Sequence, residues 1–60
     1  MELTKYETAR LIGARALQLS MGAPPLIKVT EETQTFIGIA EDELEKGVIP
    51  LSVLRAVVNP

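Results

Sequence analysis

Apolar and small residues recur along positions 6–21 at spacings of three and four, which is the period of an α-helix. Thr4 precedes this stretch and Glu7 lies three residues further on. At that spacing each side chain can bond the other residue's backbone amide in a capping box. Gly22 suits the left-handed position just past a helix end, and the prolines that follow it cannot continue the helix. The pattern therefore predicts a first helix that begins after Thr4 and ends before Gly22.

Both faces of this helix carry apolar side chains. One face holds many small residues and consists of Tyr6, Ala9, Ile12, Gly13, Ala16, Leu17 and Ser20. The opposite face includes Leu11 and Leu19, which a surface helix rarely exposes together. Gly13 costs the helix about 1 kcal/mol relative to alanine, so it is either simply tolerated or permits close packing against another element. So short a chain cannot bury both faces. A second protein is predicted to cover one of them, and the pattern leaves open which.

A second helix is predicted further along the chain. Five residues share one face at helical spacing, with Ile37 beside them: Phe36, Ile39, Ala40, Glu43 and Leu44. Thr35 precedes them as the N-cap, with Thr33 as the alternative. The glycine at position 47 is predicted to end this helix. The acidic residues of the segment are predicted to form a solvated helix face; they are Glu41, Asp42, Glu43 and Glu45.

Two short strands complete the predicted architecture. Residues 26–30 are predicted to be the first strand, after a stiff turn at Pro24, because prolines restrict the residues before them to extended conformations. Residues 51–58 are predicted to be the second strand, with Pro50 confining its start to a sheet edge or a turn. This strand is apolar on both faces, so it is predicted to pack against a partner. The predicted fold class is α+β: a single domain over residues 1–60, with two helices and a short strand pair.

Length and composition strengthen the case for a partner. A domain of 60 residues buries only about 60% of the surface that its unfolded chain exposes, and its core supplies roughly 3–5 kcal/mol. The chain has no cysteine, so a disulfide is excluded, and it has no histidine, so the commonest zinc ligands are missing. Its only aromatic residues are Tyr6 and Phe36. Burial against another protein is therefore the predicted source of stability, with a marginal monomer as the alternative.

The charge pattern excludes several classes of function. The formal net charge is −2, and the six basic residues are spread along the chain: Lys5, Arg10, Arg15, Lys28, Lys46 and Arg55. A nucleic-acid binder concentrates such residues on one face, so independent nucleic-acid binding is not predicted. The charged opening residues do not resemble a signal peptide, and no run reaches the roughly 18 apolar residues of a membrane span. The chain is therefore expected to be soluble and cytoplasmic, without a membrane partner.

No catalytic or cofactor-binding arrangement is predicted. Nucleophilic triads and dyads need histidine or cysteine, which the chain lacks. The segment 22–25 has neither the lysine nor the hydroxyl residue of a phosphate-binding loop. The acidic runs at 31–32 and 41–43 show no metal-binding spacing. We therefore expect no active site, cofactor or metal in this chain.

Two motifs carry a family resemblance. The stretch LTKYETARLIGARALQLSMGAPPLI, residues 3–27, resembles the central motif of archaeal RNA polymerase subunit K. That subunit is similar to the small subunit shared by the eukaryotic nuclear polymerases and to bacterial omega. A second stretch, IAEDELEKGVIPLSV, residues 39–53, is similar to the helix, G-x-x-P turn and strand of the same family. The motifs occur in the family's order and together cover most of the chain.

The resemblance implies a non-catalytic subunit of an archaeal DNA-directed RNA polymerase, which clasps the largest subunit and promotes assembly with the rest of the enzyme. Arginines suit such an interface because their planar guanidinium engages a carboxylate through two hydrogen bonds; for Arg10, local pairing with Glu7 is the alternative. Family members often end the last strand with two basic residues, where this chain has Leu54 and a single Arg55. The residues predicted to form the interface, or to fix the fold, are Ala9, Arg10, Gly13, Arg15, Ala16, Gln18, Met21, Pro24, Leu51, Val53 and Arg55.

Two other classes of function stay open from the residues alone. The small-residue face of the first helix would also suit a stand-alone adaptor or a homodimer, which sedimentation of the pure chain would detect. A nucleic-acid module would bind with an affinity that falls steeply as salt is added. Both classes are alternatives to the polymerase subunit that the motifs indicate.

Overall fold

Three helices in series make up the described part of the chain, which covers residues 3–31 and 34–58 of the computed structural model. Helix α1 spans Lys5–Ser20, helix α2 spans Phe36–Glu45 and helix α3 spans Leu51–Val58. Helix α1 is the longest, with 16 residues, and both other helices pack against it.

The capping box predicted at the start of α1 is present. The Thr4 amide donates to Glu7 Oε1 at 3.0 Å, and the Glu7 amide donates to Thr4 Oγ1 at 3.1 Å. At the other end Gly22 has a φ of 103°, and its amide donates to the carbonyl of Leu19 at 3.1 Å. These bonds satisfy backbone groups that a helix end leaves unpaired. The predicted first helix is therefore confirmed at both ends.

The predicted start and end of α2 are also confirmed. Thr35 caps the helix, because the Gly38 amide donates to Thr35 Oγ1 at 2.9 Å. Gly47 has a φ of 70°, a left-handed conformation that glycine adopts without steric cost. The alternative cap, Thr33, lies outside the described residues. Local signals within a few residues therefore suffice to define where this helix starts and ends.

The predicted α+β fold class is wrong, because residues 51–58 form helix α3 and the described ranges contain no strand. Val53 and Val57 lie four residues apart and are both buried, so the segment presents one apolar stripe to α1. The sequence does not alternate strictly after Val53, so its apolar pattern fits this helix as well as the predicted strand. Pro50 is compatible with a helix start, because its carbonyl accepts the amides of Val53 and Leu54, each at 3.1 Å.

Residues 26–30 follow an irregular path, so the first predicted strand is also wrong. A strand needs a neighbour to receive its backbone hydrogen bonds. With residues 51–58 helical, the described chain offers no such neighbour. The Leu26 amide instead donates to Oε2 of Glu43 at 3.0 Å, and Ile27 packs beside the buried side chains of α1 and α2.

One face of α1 supplies both halves of the core. The buried residues of α1 are Leu11, Arg15 and Leu19, which recur every four residues and so share one face. The two buried apolar clusters are Leu11 with Val53 and Val57 at one end of α1, and Leu19 with Ile39 and Ala40 at the other. The opposite face of α1 is left uncovered by the described part of the chain. The tertiary structure thus decides which of the two apolar faces is buried internally.

Candidate functional site

A buried ion pair lies between the two apolar clusters, where Arg15 of α1 meets Glu43 of α2. Arg15 Nε lies 2.6 Å from Glu43 Oε1, and Arg15 Nη2 lies 3.1 Å from Glu43 Oε2. The guanidinium therefore engages the carboxylate through two hydrogen bonds. The two side chains are only 3% and 0% exposed. Charges removed from water so completely are tolerated only when they are paired and hydrogen-bonded.

The same pair holds the turn after α1 against both helices. Arg15 Nη1 donates to Gln18 Oε1 at 3.1 Å, and Nη2 donates to the carbonyl of Pro24 at 2.9 Å. Glu43 Oε2 accepts the Leu26 amide at 3.0 Å. Within the described residues every buried side-chain nitrogen and oxygen has a hydrogen-bond partner. The pair therefore fixes α1, the turn and α2 in one arrangement.

The pKa of Glu43 reflects two opposing influences. Burial acts to raise it, because burial disfavours the charged carboxylate. The hydrogen bond from Arg15, the Leu26 amide and the guanidinium charge outweigh burial, so the pKa lies below the ordinary value of 4.5. A carboxyl group whose pKa is lower in the folded chain stabilises that chain above its unfolded pKa. The stabilisation is lost as the pH falls through the folded pKa.

Acidification is therefore expected to destabilise the chain below about pH 4.5, whereas stability should change little between about pH 5 and 8. Protonation of Glu43 leaves the Arg15 charge buried without a counter-ion. Chemical denaturation at a series of pH values measures this loss, and an NMR titration of the Glu43 carboxyl carbon assigns it. Replacing the exposed Glu41 with glutamine should leave the loss in place. A Glu43 titration midpoint at or above 4.5 would contradict the prediction.

The face of α1 that points away from the other two helices is apolar and uncovered. Tyr6, Leu17 and Met21 are 73%, 62% and 78% exposed. A Cβ added at Gly13 would find open space, with nothing beyond its own helix backbone within 4 Å. Arg10 is exposed on the same face, and its side chain bonds to no described residue. We call this line of residues, which recur every three or four positions, the outer seam: Tyr6, Arg10, Gly13, Leu17 and Met21.

The predicted interface residues are divided between the surface and the interior. Exposed are Ala9, Arg10, Gly13, Met21, Pro24, Leu51 and Arg55; partly buried are Ala16 and Gln18; buried are Arg15 and Val53. The ion-pair network brings Arg15, Gln18 and Pro24 together, so the bonds of Arg15 are internal and hold the fold. Leu51 and Arg55 lie apart from these, on α3. A partner-binding role for the exposed residues stays a prediction.

Glu43 is the residue that sequence reasoning missed. It was expected on a solvated acidic face, but it is fully buried, whereas Glu41 of the same run is exposed. A signal was available, because position 43 falls four residues after Ile39, on the apolar stripe of α2. The local pair between Arg10 and Glu7 is absent, since the Glu7 carboxylate accepts the Thr4 amide instead.

Within residues 3–31 and 34–58 the surface offers little for a small ligand. No cleft of ligand-binding size occurs there, and no cluster of histidine, cysteine or carboxylate side chains is placed to hold a metal ion. No helix in these ranges is both long enough and apolar enough to cross a membrane. The features available for recognition are therefore exposed apolar and charged side chains.

Comparison with known proteins places these features in a family. The RNA polymerase Rpb6 family matches residues 2–51. The chain is 58% identical over 53 residues to DNA-directed RNA polymerase subunit Rpo6 of Thermofilum pendens, covering 88% of this chain and 65% of the relative. It is 54% identical over 59 residues to the subunit of the same name from Sulfolobus acidocaldarius, covering 97% and 66%. For the Methanothermobacter thermautotrophicus subunit the identity is 57% over 54 residues, covering 90% and 87%.

The chain spans just under two thirds of the length of the Thermofilum and Sulfolobus relatives. No solved structure matches it significantly. The family match includes all of the first motif, at residues 3–27, and nearly all of the second, at residues 39–53. The resemblance to the archaeal polymerase subunit is thereby confirmed, since Rpo6 and subunit K are names for the same subunit. The chain belongs to the RNA polymerase Rpb6 family.

Proposed function

We propose that this chain is a non-catalytic subunit of an archaeal DNA-directed RNA polymerase and works with that enzyme in the cytoplasm. It binds the largest subunit and promotes assembly, and it supplies no active site, cofactor or metal of its own. The mechanism is one of binding: a preformed surface buries apolar area on the partner. Because the chain binds only the folded partner, it shifts the partner's folding equilibrium towards the assembled form.

The observation that carries this proposal is the apolar surface that the described chain leaves in water. Besides the outer seam, the large apolar side chains that stay exposed are Leu26, Val29, Phe36, Ile37, Val48 and Leu51. Extensive exposed apolar surface on a small protein is typical of a protein–protein interface. The relatives indicate the identity of the complex, because each is named as a subunit of DNA-directed RNA polymerase.

Reconstitution tests the proposal directly. An archaeal polymerase is assembled from its purified subunits without its own Rpo6, and the full chain is added with an affinity tag. We expect the tag to recover the largest subunit, and the yield of assembled enzyme to rise. A chain that elutes alone at micromolar concentrations of all subunits would refute the proposal. If sedimentation then showed a tight dimer of the pure chain, the adaptor or homodimer alternative would replace it.

A further inference from the structure

We infer that the outer seam of α1 docks on an α-helical segment of a larger polymerase subunit, and that this segment places a carboxylate against Arg10. The inference rests on the proposed function and specifies the chemistry of the partner segment. Helix α1 has 16 residues, so the seam is about 24 Å long at 1.5 Å per residue. Its two ends are apolar, its middle is a glycine, and its one charged member is Arg10. The Lys5 ammonium lies over the Tyr6 ring, 5.5 Å from its centroid, and adds a second positive charge beside the seam.

The geometry of the seam favours a helix as its occupant. Its residues recur at steps of three or four, the period at which the side chains of two packed helices interdigitate. Gly13 leaves open space in the middle, into which a side chain of the facing helix fits. An added strand would instead need free backbone amides and carbonyls. Along α1 these groups are already bonded within the helix.

The charge of Arg10 specifies the partner further. This side chain lies between Tyr6 and Gly13 on the seam and bonds to no described residue. A helix laid along the seam removes the guanidinium from water, which is unfavourable unless a counter-charge comes with it. A carboxylate meets this need through two hydrogen bonds of matching geometry. The occupant is therefore an amphipathic helix with an aspartate or glutamate beside its apolar stripe.

A second copy of this chain that pairs symmetrically through α1 does not meet that requirement. The only carboxylate on α1 belongs to Glu7, which accepts the Thr4 amide in the capping box at 3.0 Å. A symmetric pair of α1 helices would bury two arginines with no free carboxylate, or would break both caps. Charge complementarity thus favours a heterologous partner over symmetric pairing of two α1 helices.

Charge reversal in the reconstituted polymerase tests the inference. Arg10→Glu should weaken incorporation of the full chain at least about 30-fold, because one partner of a buried ion pair becomes repulsive. Lys28→Glu is the matched control, since it makes the same charge change at an exposed side chain outside the seam. We expect this control to stay within about threefold of the unaltered chain. Circular dichroism of each free variant checks that the fold is retained.

Photo-crosslinking identifies the occupant. A benzoyl-phenylalanine at position 6 replaces Tyr6 with another aromatic side chain one turn from Arg10. We expect it to label a helical peptide of a larger subunit that contains an aspartate or glutamate.

Equal incorporation of Arg10→Glu and Lys28→Glu would overturn the inference while leaving the proposed function intact. Labelling of a second copy of this chain, or of a segment without an acidic residue, would also overturn it. Failure of the unaltered chain to incorporate would refute both the proposed function and this inference.

Discussion

Replacing Glu43 with glutamine is expected to unfold most of the free chain at 25 °C. The change leaves the Arg15 guanidinium buried at 3% exposure without a counter-charge, and removing one partner of a buried ion pair costs about 3–5 kcal/mol. A core of this size supplies roughly 3–5 kcal/mol in total. The loss therefore matches the whole stability of the fold. Far-UV circular dichroism and urea titration of the purified variant measure it.

Two variants separate the ion pair from general effects of the change. Glu41→Gln alters the same residue type on the exposed side of α2 and should shift the free energy of unfolding by no more than about 0.5 kcal/mol. Arg15→Met combined with Glu43→Leu removes both charges and should recover much of the lost stability. Recovery is incomplete, because the Leu26 amide loses its acceptor. Equal stability of Glu43→Gln and Glu41→Gln would show that the pair does not hold the fold.

Gly13→Leu is expected to stabilise the free chain and yet impair assembly of the polymerase. The new side chain enters open space in the free chain, and leucine favours a helix over glycine by roughly 0.5–1 kcal/mol. In the proposed complex the leucine side chain fills the open space at position 13 that a side chain of the partner helix would otherwise occupy. Overpacking of this kind costs about 1–3 kcal/mol, which weakens incorporation roughly 5- to 150-fold. Thermal denaturation and the reconstitution assay measure the two effects separately.

Glu41→Leu is the control for added hydrophobicity, because it places the same side chain on an exposed position of α2 away from the outer seam. Its incorporation should equal that of the unaltered chain. If Gly13→Leu incorporates equally well, the partner does not approach α1 closely at this position. If Gly13→Leu instead unfolds the free chain, the outer face of α1 is covered within the chain itself.

The sequence alone determined helices α1 and α2 and the family. Thr4 with Glu7, Thr35 with Gly38, and the glycines at 22 and 47 act within one turn of the chain. Their hydrogen bonds and backbone angles therefore need no distant neighbour. The two motifs are also properties of the sequence itself, which is why the family match confirmed the resemblance they carry.

The tertiary structure alone decided the state of residues 51–58, the buried face of α1 and the role of Glu43. A short apolar segment suits a strand or a helix about equally, and its packing against Leu11 makes it the helix α3. Glu43 and Arg15 are 28 residues apart in sequence, so no local pattern records their pairing. Burial depends on which distant side chains meet, and that is settled only when the helices pack together.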